Sequence, residues 1–333
     1  MRALITGISG FVGSHLAEYL LAHTDWKIFG MMRWNDSLEN LSGLVKQINQ
    51  GNRVTLAYAD LNDSFAVRGV VRSSKPDYVF HLAAQSFPTT SFTGPSETLQ
   101  TNIIGTLNLL EAIRHEAKDA WVHVCASSEV YGRVEPTEVP IKETCRFHPA
   151  SPYAISKIGT DMLGRFYAEA YGLKTVVTRM FTHTGPRRGD VFAESSFAKQ
   201  IAMIEAGQLN PPIKVGNLHS LRTISDVRDA VRAYHMLLTV NPQVGEVYNI
   251  GGNHTATIGK ILMELLNIAG LPNLDIEVEP SRLRPIDANL QIPDCSKFMN
   301  HTGWKPEIPF QQTMIDLLAY WRERVRKGVQ LQR

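Results

Sequence analysis

The chain has few cysteines, no long apolar run and no excess of charge of either sign. Its three cysteines, Cys125, Cys145 and Cys295, are odd in number and lack CxxC or CxxH spacing. That argues against a disulfide framework or a structural zinc site and for a reducing compartment. His81, His148, His183 and His219 are scattered without HxH or HExxH spacing, so no metal site is expected. Nowhere does an uncharged apolar run reach the roughly 18 to 20 residues needed to span a bilayer. The opening MRALITGISG runs straight into a β-rich stretch without the pattern of a secretion signal, so a soluble, cytoplasmic protein is expected. Lys and Arg number 34 against 32 Asp and Glu, a net charge of +2 with no run of one sign. Neither nucleic acid nor an anionic membrane finds a footprint there, and any anion must be held locally.

What is present is length and apolar content: 333 residues, 44% hydrophobic, enough for one large domain or two smaller ones. Short apolar runs at Ala3 to Thr6, Ile28 to Met32, Val54 to Ala57, Tyr78 to Ala83, Val122 to Cys125 and Thr175 to Thr178 read as strands. Between them, apolar residues at spacings of three and four predict helices over Phe11 to Leu21, Ser64 to Val71, Thr98 to Arg114 and Ala154 to Tyr171. Repeated βαβ units of this kind predict an α/β fold with a doubly wound parallel sheet. Beyond Phe181 the texture changes to Gly-, Pro-, Arg- and Asp-rich loops, with helices at Ser195 to Ala206 and Ile258 to Ala269. That predicts a smaller α/β lobe for substrate. Asp226 to Leu238 then reads as helix, Glu246 to Ile250 as strand and Gln311 to Arg326 as a final helix. The expected division is discontinuous: 1–181 and 221–250 for a dinucleotide-binding domain, 182–220 and 251–333 for the second lobe.

The first strand is followed by Gly7, Gly10 and Gly13 and then by a helix. Glycine is needed where a strand turns tightly into a helix whose N-terminus holds a pyrophosphate. At the end of the second strand, where an acid would take a ribose 2′-hydroxyl, the chain has Arg33. A guanidinium suits a 2′-phosphate, which favours NADP; a solvated surface arginine is the alternative. Asp60, in YADL, is placed to accept from an adenine amino group, to cap a helix, or both.

After the fifth strand come Ser127, Ser128 and Glu129, and farther on Tyr153 and Lys157 in a YxxxK spacing. That spacing puts phenol and ammonium on adjacent turns of one helix face. With a nearby ammonium and a positively charged nicotinamide to lower its pKa, Tyr153 is suited to take a proton from a carbinol, while Ser127 or Ser128 holds the same oxygen.

These pieces together, TGISGFVGSHL, DLND, HLAAQSF, SSEVYG, SPYAISK and TGWKP among them, resemble the extended short-chain dehydrogenase/reductases that modify nucleotide sugars. The resemblance covers essentially the whole chain. AAQSF and GPRRGDVF are similar to GDP-mannose 4,6-dehydratases. Phe11 to Ser14 in the glycine turn, and Thr182-His183-Thr184-Gly185-Pro186 where dehydratases read Asn-His-Glu-Ser-Pro, are closer to GDP-4-keto-6-deoxymannose reductases. The resemblance implies bound NADP, with Phe11, Val12, Leu61, Leu82, Ala83 and Ala84 joining the cofactor residues already named.

Glu129 separates the chemistries. A reductase needs only serine, tyrosine and lysine, whereas a dehydratase must also move a proton from sugar carbon 5 to the hydroxyl leaving carbon 6. A carboxylate beside the serine can do both, so an NADP-dependent conversion of GDP-mannose is expected; a structural role for Glu129, a reductase and an epimerase are the alternatives. By resemblance, Lys199, Arg222 and Arg284 would hold the diphosphate or its ribose, while Arg187 and Arg188 would instead reach a neighbouring subunit; for each of these cations a surface ion pair is the alternative. Gln85 and Ser86, in the loop after the fourth strand, are placed to touch sugar hydroxyls or to cap the loop, and Ser128 and Thr182 would meet the sugar. The resemblance also implies a homodimer, since relatives pair through the apolar faces of the helices that correspond to Thr98 to Arg114 and Ala154 to Tyr171, with a tetramer as the larger option.

Overall fold

In the first strand, Ala3, Leu4, Ile5 and Thr6 are all fully buried, so both of its faces are covered. A strand of that kind belongs in the middle of a parallel sheet with helices on either side. The computed structural model describes every residue except Asn52 and 329–333, so the end of the expected second lobe lies outside the described residues. The first half runs β1 (Arg2–Thr6), α1 (Phe11–His23), β2 (Lys27–Met32), α2 (Val45–Asn49), β3 (Val54–Tyr58), α3 (Ser64–Ser74) and β4 (Tyr78–His81). It continues through α4 (Pro88–Thr93), α5 (Pro95–Leu99), α6 (Gly105–Glu116), β5 (Trp121–Cys125), α7 (Pro152–Tyr171) and β6 (Lys174–Met180). Then come β7 (His183–Thr184), α8 (Ala193–Glu205), β8 (Ile213–Val215), β9 (Leu221–Asp226), α9 (Val227–Thr239) and β10 (Val247–Ile250). The last elements are β11 (His254–Thr257), α10 (Ile258–Ala269), β12 (Ile276–Val278), β13 (Leu290–Gln291), α11 (Ser296–Thr302) and α12 (Phe310–Arg326).

Seven strands form one sheet in the order β10-β6-β5-β4-β1-β2-β3, every neighbouring pair parallel. This is the doubly wound, Rossmann-type sheet expected from the alternation of strand and helix. α1 and α9 cover one face and α3, α6 and α7 the other. The chain reverses direction across the sheet between β1 and β4, and a crevice opens beyond their carboxyl ends.

The second lobe has a sheet ordered β11-β9-β13, with β7 also paired to β9, and a separate pair β12-β8. Its apolar core lies among α8, α10 and α12. The structure departs from the expected division in two places. Residues 221–226 form β9 in the second sheet, so the return to the large sheet begins with α9. Within the expected second lobe, Phe298 and Trp304 lie fully buried in the core of the large sheet.

The helix expected over Thr98 to Arg114 is continuous but changes its hydrogen-bond pattern part-way, with helical backbone angles at every junction. α5 ends at Leu99, a π-type turn occupies Gln100–Ile104, and α6 begins at Gly105. The Asn102 carbonyl accepts from Thr106 Oγ1 at 2.6 Å and from Thr160 Oγ1 at 3.0 Å, which draws it out of a regular helical ladder. The Asn102 side chain bonds both the backbone N–H and the carbonyl of Gln85, fixing the loop after β4.

Candidate active site

The turn from β1 to α1 cannot carry larger residues. Gly7 has φ +73°, and a Cβ there would lie 2.9 Å from the Ala83 Cα; a Cβ on Gly13 would lie 2.2 Å from the Gly7 carbonyl. Gly10 caps α1 without a side-chain bond, so the opening N–H groups of the helix face the crevice. The opposite wall is held by Thr6, whose Oγ1 accepts from the backbone of Leu82 and Ala83, each at 3.1 Å, and meets His81 Nδ1 at 2.9 Å. Burial first, and then the charge of Lys157, push His81 down to about 3, so it is neutral. A cradle with no room for a Cβ and with unshared helix N–H groups fits a dinucleotide pyrophosphate.

Farther along the same edge, Ser127 follows β5 and its Oγ accepts from the Glu129 N–H at 3.2 Å. Ser151 caps α7, with Pro152 in the first turn, which sets the phase that turns Tyr153 and Lys157 inward. Lys157 Nζ donates to the Cys125 carbonyl at 2.8 Å and lies 6.0 Å from the centre of the Tyr153 ring. Burial raises the Tyr153 phenol well above its ordinary value, opposed by its hydrogen bond with Ser127. The lowering expected for this tyrosine is therefore not supplied by the protein's own groups. Burial likewise pulls Lys157 down.

Every residue expected at the site lines one cleft of about 1460 Å³. Gly7, Gly10, Phe11, Val12, Gly13, Arg33, Asp60, Leu61, Leu82, Ala83 and Ala84 line one part of it; Ser127, Ser128, Glu129, Tyr153, Lys157, Gln85, Ser86, Thr182, Lys199, Arg222 and Arg284 line the rest. That exceeds the roughly 300 to 1,000 Å³ of a single small-molecule pocket and leaves room for two ligands. Arg33 is held at the edge by Asp36, Nη2 to Oδ1 at 2.9 Å. Asp60 does not cap α3; Asp63 does, accepting from the Ala66 N–H, while Asp60 accepts from the Asn62 N–H. Gln85 Oε1 is buried there without a hydrogen-bond partner.

The cations of the second lobe are matched by acids that the sequence reading missed. Lys199 Nζ meets Asp190 at 2.8 Å, and Arg222 and Arg284 both approach Asp287 Oδ1 at 3.5 Å. Despite its burial, Asp287 is held below the usual carboxylate range by Arg222 and Arg284. Both arginines of the Arg187-Arg188 pair have partners within the chain. Arg187 bonds Glu18 Oε1 at 2.6 Å and Ser14 Oγ at 3.3 Å, tying its loop to α1. Arg188 turns into the cleft over the Phe192 ring, 3.4 Å from its centre, with Nε 3.6 Å from Glu194 Oε1. His183 stacks on Phe11 at 5.8 Å between ring centres. The only local signal for these groups was their clustering in THTGPRRGD and RLRPID.

Known proteins resemble this chain in sequence and fold over nearly its full length. A family model described as GDP-mannose 4,6 dehydratase matches residues 4–317. A GDP-6-deoxy-D-mannose reductase of Pseudomonas aeruginosa is 33% identical over 98% of this chain and 99% of its own. A GDP-mannose 4,6-dehydratase of Yersinia enterocolitica is 31% identical over 96% of this chain and 93% of its own. The structure of RMD from Pseudomonas aeruginosa complexed with NADPH superposes with a TM-score of 0.82, covering 97% of this chain and all of that one at 31% identity. Agreement in sequence and fold over nearly the full length makes this chain a member of the GDP-mannose 4,6-dehydratase family of extended short-chain dehydrogenase/reductases, enzymes that modify nucleotide sugars.

Proposed function

We propose that the protein is an NADP-dependent 4,6-dehydratase that converts GDP-mannose to GDP-4-keto-6-deoxymannose with loss of water. The observation that carries this reading is Glu129, a carboxylate lining the same cleft as Ser127, Tyr153 and Lys157. A reductase has no chemical need for it.

The glycine cradle, Asp60, Leu61 and Leu82 to Ala84 would hold the dinucleotide, with Arg33 at its 2′-phosphate. When bound, NADP supplies a two-electron acceptor that is reduced and reoxidised within each turnover. Tyr153 takes the proton from the carbon 4 hydroxyl, and Ser127 holds that oxygen. Lys157, anchored on the Cys125 carbonyl, brings a positive charge beside the phenol. Glu129 takes the proton from carbon 5 and delivers it to the carbon 6 hydroxyl, which leaves as water; carbon 6 then receives the hydride that carbon 4 gave up, and the proton held by Tyr153 returns to carbon 5. Lys199, Arg222 and Arg284 hold the diphosphate, and Gln85, Ser86, Ser128 and Thr182 contact the sugar. The choice of guanine rests on the family and its relatives alone.

One observation favours a second reading, reduction of a 4-keto-6-deoxy sugar nucleotide by NADPH: the match to the Pseudomonas reductase spans 98% of this chain and 99% of that one. Incubating the protein with GDP-mannose and no added NADPH decides between them. The dehydratase releases one water, read by mass spectrometry, with no net cofactor use, and Glu129→Gln abolishes it. An unchanged substrate, with NADPH consumed on the keto sugar, establishes the reductase.

The homodimer is proposed from α7, where Ile155, Met162 and Phe166 are each about half exposed on one side of the helix. Phe166→Glu should convert a dimer to a monomer in sedimentation; a wild type that already sediments as a monomer refutes the assignment.

A further inference from the structure

We propose that Arg284 is shared between the substrate diphosphate and Glu129, so that filling the diphosphate site draws a cation away from the carboxylate that works on the sugar. The proposal rests on the proposed roles of Arg284 as a diphosphate ligand and of Glu129 as the base of a dehydratase.

The geometry around Arg284 is that of a group held loosely from two sides. Its Nη1 lies 3.5 Å from Asp287 Oδ1 and 3.8 Å from Glu129 Oε1. Both separations exceed the roughly 2.7 to 2.9 Å of a well-formed charge-assisted bond. Asp287 Oδ1 is divided again, because Arg222 Nη2 also approaches it at 3.5 Å. The other oxygen of Asp287 is fixed, accepting from Asn217 Nδ2 at 3.0 Å and Ser220 Oγ at 3.2 Å. Asp287 is therefore an anchored post around which two guanidinium groups can turn.

A diphosphate offers more negative charge than one carboxylate and accepts the guanidinium fork bidentately, so it outcompetes a single contact at 3.8 Å. A carboxylate relieved of an adjacent cation is a stronger base. Seating the nucleotide portion of the substrate thus frees Glu129 from its one ion pair among the described residues. Arg284 acts here as a positioning residue: it binds one part of the substrate and acts on the reacting part through Glu129. Arg222, which shares Asp287, also lies within electrostatic reach of Glu129, although no ion pair joins the two among the described residues.

Exchange of one arginine between two anions must be reciprocal, since each ligand weakens the other by the same factor. Calorimetric titration with GDP reads it without any turnover. Glu129→Gln should bind GDP about two- to five-fold more tightly than wild type, the range of a partly exposed ion pair. The gain should disappear in an Arg284→Gln background, and Arg284→Lys should keep part of it. A gain that survives Arg284→Gln is plain repulsion between Glu129 and the diphosphate and overturns the proposal, as does no gain at all. If wild type leaves GDP-mannose intact, the dehydratase reading fails while this titration still decides the exchange; failure of wild type to bind GDP overturns both.

Discussion

Arg179 and Asp161 form a two-pronged ion pair inside the protein, Nε to Oδ2 at 2.7 Å and Nη2 to Oδ1 at 3.2 Å, with both side chains almost wholly buried. Arg179 Nη1 also donates to the Tyr131 hydroxyl at 3.0 Å and to the Glu143 carbonyl at 2.7 Å. The pair links α7, which carries Tyr153 and Lys157, to the segment that carries Ser127 and Glu129. Removing one partner strands a buried charge, so Asp161→Asn should lower the unfolding free energy by about 3 to 5 kcal/mol in urea titration. A loss no greater than that of an exposed ion pair would show that the network is dispensable.

Tyr153→Phe deletes one oxygen from a side chain that is otherwise packed and 7% exposed. Fluorescence titration should find NADPH bound nearly as well as by wild type, while turnover falls by about 10² to 10⁴, the usual contribution of a positioned acid or base. An active variant would remove Tyr153 from the role of proton acceptor.

Arg33 stands at the mouth of the cleft, its backbone and side chain both bonded to Asp36. Arg33→Asp should shift the ratio of NADP to NAD affinity at least about ten-fold toward NAD, through loss of bidentate phosphate pairing and gain of repulsion. Equal weakening of both cofactors would assign Arg33 to the turn alone.

His81 and His123 are fully enclosed; burial first, helped by Lys157 for both and by His81 for His123, holds each near a pKa of about 3. In the unfolded chain they titrate near 6.5. Above that value both states are neutral and nothing is lost. As the pH falls from 6.5 toward 3 the unfolded state gains protons that the folded state refuses, so stability declines, approaching about 1.4 kcal/mol per pH unit for each histidine. Urea midpoints at neutral pH and near pH 5 should show the decline, and His123→Phe should flatten it. An equal slope in the variant would place the titrating groups elsewhere.

The large sheet and the cofactor turn were legible because their signals are local. A strand buried on both faces reads as an unbroken apolar run, and a glycine triplet between strand and helix leaves the backbone few ways to make that turn. β9 escaped notice for the opposite reason. Arg222, Thr223, Ser225 and Asp226 are buried although polar, so neither alternation nor an apolar run marks the strand. The π-type turn after Leu99 carries a bond from Thr160 to Asn102, 58 residues apart, and no window of sequence spans that pairing. The acids that partner Lys199, Arg222 and Arg284 were hidden likewise, because a cation visible in sequence does not reveal which carboxylate the fold brings to it.

The path of the chain between the two lobes limits how they can come apart. It leaves the large sheet after β6, returns with α9, leaves again with β11, returns with α11 and departs finally with α12. Trp304, fully buried against the large sheet, donates from Nε1 to the Asp229 carbonyl at 3.2 Å, although it lies far beyond β10 in sequence. A fragment cut after Ile250 would lose that ring and Phe298 from the core it was meant to preserve. Neither lobe is a severable module, because residues beyond the second lobe's sheet complete the core of the first.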